Sequence, residues 1–196
     1  MQRLCVIAVL CAVGLALAAA PGAVAAAPAP TPVGDDVGFV SFGALAERVS
    51  VAAYTQALRI PGFSRRERSA LSVARRARQR QADLLDAPLG GDAPRSDDFH
   101  IVVPATMKVA VLKAILGLDR ALTSVYAYGT SQAQDPATRL LLARLLAGDA
   151  QFLSQDRVMA GLSPHAGLPA PLDVDAAGSV LDPYLQPVGT PQEITS

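Results

Sequence analysis

The sequence predicts an all-α protein in which four long helices precede a proline-rich tail. Three observations predict it. Apolar residues recur at helical spacing over four long stretches, and cap and turn residues of recognisable chemistry punctuate those stretches. Outside IVV at 101–103, no run alternates as a half-buried strand would.

The first helix is predicted over 43–60, where LAERVSVAAYTQALRI carries the periodic stripe and Pro61-Gly62 stops it. The second is predicted over 64–87. Ser64 is its N-cap and Glu67, three residues on, completes a capping box; Pro88 and Gly90-Gly91 follow its end. GGDAPRSDDFHIVVPA, 90–105, breaks the pattern and is long enough to run the length of a helix, which predicts a crossover. The third helix is predicted over 106–132 and the fourth over 136–161, where Asp135 caps and Pro136 takes the first helical position. The tail, 163–196, is too rich in proline for one helix. Residues 173–181 suit a short helical turn, Leu181, Tyr184 and Leu185 can pack on the helices, and the last ten residues are expected to be loose.

The N-terminus is predicted to be a secretory signal peptide over 1–27. A short basic start with Arg3, the apolar run LCVIAVLCAVGLALAAA and a small-x-small site at Ala23–Ala25 are its three parts, with a mature start near Ala26 or Pro28. Residues 28–39 then form a Pro/Gly-rich linker, and 40–162 the helical domain. This predicts a secreted, periplasmic or cell-envelope protein without stable membrane insertion of the mature chain. Both cysteines, Cys5 and Cys11, lie in the signal, so the mature chain offers no disulfide, thiolate nucleophile or cysteine metal site. The charges balance at 17 basic and 17 acidic residues, which leaves no global field to recruit nucleic acid.

The two helix pairs carry a weak internal repeat. Glu47 precedes Tyr54 by seven residues, as Asp119 precedes Tyr126, and two helical turns put each acid and its tyrosine on one face. In the second helix of each pair, Arg78 stands three residues before Gln81, and Asp149 three before Phe152. Glu47 to Arg78 spans 31 residues and Asp119 to Asp149 spans 30.

This spacing resembles the ferritin-like superfamily of bacterioferritins, rubrerythrins and their exported relatives. The resemblance implies a four-helix bundle in which a lone Glu from each of two helices and a Glu-x-x-His from each of the others hold two metal ions. Glu47 and Asp119 match the lone acids. Arg78-x-x-Gln81 and Asp149-x-x-Phe152 match the paired motifs, and Tyr54 and Tyr126 match aromatic positions beside the metals. Both histidines are replaced and a guanidinium stands in for one acid, so the resemblance implies a ferritin-like fold with degenerate ligands, no catalytic residue and no resident cofactor. A non-catalytic binding or structural module of the envelope is the function implied, with an envelope partner or ligand and room for an oligomer. Two alternatives stand beside it: a di-metal carboxylate protein handling iron, manganese or peroxide, and a helical-bundle carrier of an apolar ligand.

Three arrangements of the acids are open. Glu47, Asp119 and Asp149 can converge on Arg78, whose five donors substitute for a metal's charge; they can face solvent; or they can retain a metal. The remaining candidates have plainer readings. RRERSALSVARRARQRQ, 65–81, with seven arginines, reads as a solvated helix face before it reads as a site for an anionic polymer or lipid headgroup. His100 and His165 read as loop residues, Met107 as packing at a helix start, and Ser124 and Ser154 lack a histidine to activate them.

Overall fold

The computed structural model describes residues 34, 36–95, 98–165 and 167–187. The predicted signal peptide, residues 28–33 and 35 of the predicted linker, and the predicted loose end from 188 onward lie outside the described residues. The chain is all-α: α1 spans Asp36–Arg59, α2 Arg65–Leu89, α3 Lys108–Gln132, α4 Pro136–Met159 and the short α5 Val174–Gly178. Two 3-10 turns, Gly90–Asp92 and Asp182–Tyr184, and two strands of three residues, β1 at Phe99–Ile101 and β2 at Leu185–Pro187, accompany the helices.

Helix α1 starts earlier than the sequence predicts, within the residues up to 39 that read as a linker. Asp36 is fully buried, and its two carboxylate oxygens accept from the backbone N–H groups of Gln134 and Asp135, each at 2.8 Å. The carboxylate therefore fastens the first turn of α1 to the bend between α3 and α4, where Phe39 and Val40 enter the core. Phe39 meets Tyr128 edge to face, with ring centroids 6.0 Å apart.

The other boundaries follow local chemistry more closely. Both bonds of the capping box form, Glu67 N to Ser64 Oγ at 3.2 Å and Ser64 N to Glu67 Oε2 at 2.7 Å. The helix does not stop before Pro88, however. Pro88 and Leu89 are buried in its last turn, and Gly90 ends it with a φ of 55° and an N–H donated to the Asp86 carbonyl. Asp135 caps α4 through Thr138 N and Oγ1. Helix α3 starts two residues later than predicted, and α4 stops at Met159, before Gly161 turns the chain with a φ of 74°.

Helices α1 and α2 pack most extensively, then α3 with α4 and α1 with α3, while α2 and α4 touch sparsely. Lys108, at the start of α3, reaches Glu67 at 2.7 Å and the Gly62 carbonyl at 3.3 Å beside the α1–α2 turn, whereas the end of α3 meets Asp36. So α3 runs antiparallel to α1 and parallel to α2, and the described residues of the predicted crossover, 90–95 and 98–105, lead from one end of the helices to the other. Part of that traverse is β1, which pairs antiparallel with β2 in the register Phe99↔Pro187, His100↔Gln186 and Ile101↔Leu185. The predicted helical turn is α5, capped by Asp173; Leu181 is buried, and Tyr184 and Leu185 pack against the core. Among the described residues α1 is the helix long and apolar enough to cross a membrane, and its apolar stripe is enclosed by its neighbours.

Candidate functional site

Each long helix delivers polar side chains to one buried point. Helix α1 brings Glu47 and Tyr54, α2 Arg78, α3 Asp119 and Tyr126, and α4 Asp149 and Asp156; all seven are inaccessible to solvent. Their positions follow from helical repeat: 71, 74, 78, 82 and 85 form the buried stripe of α2, and Arg78 is the one cation on it.

The Arg78 guanidinium lies at the centre. Its Nη1 donates to Asp149 Oδ1 at 2.6 Å and to both Glu47 oxygens at 3.2 Å, and its Nη2 donates to Asp119 Oδ1 at 2.6 Å. One planar fork thus serves an acid from each of the other three long helices. Tyr126 Oη donates to Glu47 Oε1 at 3.0 Å, and Gln81 Nε2 donates to Asp149 Oδ1 at 3.1 Å. Tyr54 Oη donates to Asp156 and lies 3.5 Å from Asp119 Oδ2. Gly43 makes the Tyr126 contact feasible, since a Cβ there would stand 2.9 Å from the tyrosine oxygen. Phe152 is half-buried, with the Arg78 guanidinium carbon 4.8 Å from its ring centroid. It caps the guanidinium at the rim of the site, and Glu47 and Arg78 bridge the space between it and Tyr126.

Four carboxyls around one guanidinium cannot all ionise out of water, and their proton affinities reflect this. Burial lifts Glu47 to about 8, outweighing the attraction of Arg78. Burial likewise lifts Asp149 to about 6, with Arg78 and Gln81 opposing. Asp119 is held well above the ordinary carboxylate range by burial and by its contact with Asp156, which burial also raises. Burial raises both tyrosines well above their ordinary value, so each stays a hydroxyl donor. Arg78 stays charged: burial disfavours its cation, but Asp149, Glu47 and Asp119 more than compensate. The centre is therefore a guanidinium with carboxyls that share protons. Asp149 Oδ2, Asp156 Oδ1 and Arg78 Nε are buried without a partner among the described residues.

Every predicted site residue lies in or beside this cluster. Asp156 is the member that the sequence motifs miss, although its signal is there: it follows Asp149 by seven residues, the interval that joins Glu47 to Tyr54 and Asp119 to Tyr126. The predicted solvated face of α2 divides. Arg78 is buried, and Arg68 donates to the carbonyls of Leu58, Ile60 and Phe63 at the end of α1, while Arg65, Arg66, Arg76 and Arg80 face solvent. His100 is exposed on β1, His165 is exposed in the tail, and Met107 is exposed ahead of α3. Among the described residues no group of three His, Cys, Asp or Glu side chains is arranged to hold a metal ion. No family model matches the chain, and no curated protein matches it.

Proposed function

We propose that the chain is a ferritin-like helical module whose di-metal centre has been replaced by a buried ion-pair network, and that it acts outside the cytoplasm as a non-catalytic binding or structural component. One observation carries this reading: Arg78 occupies the convergence point of the four helices and hydrogen-bonds to an acid from each of the other three. The length-crossing segment between α2 and α3 supports the same family topology. The donor set does not fit two transition-metal ions, because imidazole is missing and a fixed positive charge stands among the carboxylates.

Anaerobic calorimetric titration with ferrous iron and with manganese tests it. The wild-type chain is expected to bind either ion no more tightly than about 0.1 mM, as weak oxygen-donor sites do. The triple variant Arg78→Glu, Gln81→His and Phe152→His, which removes the cation and supplies imidazole, is expected to gain affinity. Tight uptake of two equivalents by the wild type would overturn the reading and favour a di-metal carboxylate protein. Export is a separate expectation carried by the N-terminal sequence: mass spectrometry of the native protein should find a first residue near Ala26 or Pro28. A soluble cytoplasmic form retaining residues 1–20 would defeat it.

A further inference from the structure

Between α3 and the C-terminal end of α4 lies a trough of about 470 Å³ whose lining includes none of the residues around Arg78. That volume is in the range of small-molecule sites, roughly 300–1,000 Å³. Val109, Leu112 and Leu116 of α3 line it together with Met159 and Ala160 from the end of α4. These α3 positions recur at three- and four-residue intervals and so make one helix face. The face is only partly covered: Leu112 belongs to the core, Leu116, Met159 and Ala160 are half-buried, and Val109 is 78% exposed.

The charges around the trough have one sign. Lys108, Lys113 and Arg120 line it, with no acid among the lining residues. Lys108 is already committed to the fold, bonded to Glu67 and placed over the Phe63 ring. Lys113 and Arg120 are exposed, and neither has an ion-pair or hydrogen-bond partner among the described residues. They stand seven residues apart, which sets their backbone positions about 10 Å apart along the helix.

Gly117 widens the trough. A glycine within a helix is less favourable than alanine, and where a neighbour approaches closely it makes room for that neighbour. At Gly117 no such approach exists: a Cβ there would meet no atom within 4 Å. What the missing side chain leaves is space, and that space is the trough. Gly129, in the same helix, shows the contrast, because a Cβ there would lie 2.6 Å from Leu142 Cδ1.

We infer that this trough binds a single-chain anionic amphiphile of the fatty-acid class, with its carboxylate on Arg120 at one end and its chain running past Lys113 along Leu116, Leu112 and Val109 beside Met159. The guanidinium fork matches a carboxylate, and the flexible methionine lets the wall adapt to the chain. From Val109 to Arg120 the face extends about 16 Å, enough to lay out a medium-length acyl chain. The inference is independent of the role proposed for Arg78.

Calorimetric titration of the full chain with dodecanoate, below its micelle concentration, tests it, with dodecyltrimethylammonium as the cationic counterpart. Dodecanoate is expected to bind at one equivalent and the cationic amphiphile about tenfold or more weakly. Arg120→Glu should weaken dodecanoate by about tenfold or more. Gly117→Leu should abolish binding while its thermal midpoint equals or exceeds that of the wild type, which separates a filled trough from a damaged fold. The inference is overturned if the two amphiphiles bind equally, if both variants bind dodecanoate as the wild type does, or if no saturable binding occurs. Binding only to phosphatidylglycerol vesicles would assign the face to a membrane surface. A wild-type dimer that Gly117→Leu dissociates would assign it to a second copy. Either result would equally overturn the inference.

Discussion

Replacing Arg78 with methionine is expected to lower the stability of the folded chain by about 3–5 kcal/mol near neutral pH, the usual consequence of removing one partner from a buried ion pair. The substitution keeps much of the side chain's volume, so little of the loss should come from a cavity. It comes from Glu47, Asp119 and Asp149, which lose the donors now 2.6–3.2 Å away and remain out of reach of water. Asp149 should be affected most sharply, because Oδ2 already has no partner and Oδ1 would keep Gln81 alone. Combining Arg78→Met with Glu47→Gln, Asp119→Asn and Asp149→Asn removes the orphaned acids along with the cation and should recover most of the loss. Such non-additivity is the signature of one coupled network. Urea unfolding of the single, triple and quadruple variants measures it. A loss below about 1 kcal/mol for Arg78→Met would show that the guanidinium does not organise the centre.

The features legible in the sequence are those whose physical cause lies within a few residues. Ser64 with Glu67, and Asp135 ahead of Pro136, state the starts of α2 and α4 because a cap bonds only to its own first turn. The start of α1 has no such local statement. Its acid, Asp36, bonds to backbone groups 98 and 99 residues away, and nothing near it distinguishes a tertiary anchor from a polar linker. The β1–β2 clip is hidden for a similar reason: three-residue strands, one ending at Pro187, carry no periodicity.

The centre is legible to a different degree. Seven-residue and three-residue intervals are enough to put its members on common helix faces. They do not select the occupied arrangement, because an arginine among seven in one run looks like surface until its neighbours are weighed. Arg78 differs from the other six in sharing the stripe of Leu71, Ala74, Ala82 and Leu85. Asp156 shares the seven-residue interval but lies beyond Phe152, where the paired motif of α4 ends. Proton sharing among the carboxyls has no sequence signal at all, since it depends on distances between helices that spacing does not supply.

The wild-type protein is expected to lose stability as pH rises from about 4.5 to about 8, the reverse of the trend that ordinary surface carboxylates produce. Glu47 carries its proton up to about 8 in the folded protein, against 4.5 when unfolded, and Asp149 carries its proton up to about 6, against 3.8. Between each pair of values the folded state holds more protons than the unfolded state, so the derivative of unfolding free energy with pH is negative. The stabilisation linked to each group is complete below its unfolded value and disappears as pH climbs through its folded value. Asp119 and Asp156, raised by burial, act in the same direction. Glu67 and Asp135 are lowered instead, so they act below their ordinary values of 4.5 and 3.8 and leave the window clear. The combined effect should reach several kcal/mol, since each tenfold change in proton affinity corresponds to about 1.4 kcal/mol. Urea unfolding at constant ionic strength across the window measures the slope. Glu47→Gln should reduce the slope across the whole window, from about 4.5 to about 8, and Asp149→Asn only below about 6, because the folded and unfolded states differ in bound protons over those intervals. A stability that is level or rises across this window would mean that the acids around Arg78 are ionised in the folded protein, and the proton-sharing centre would have to be abandoned.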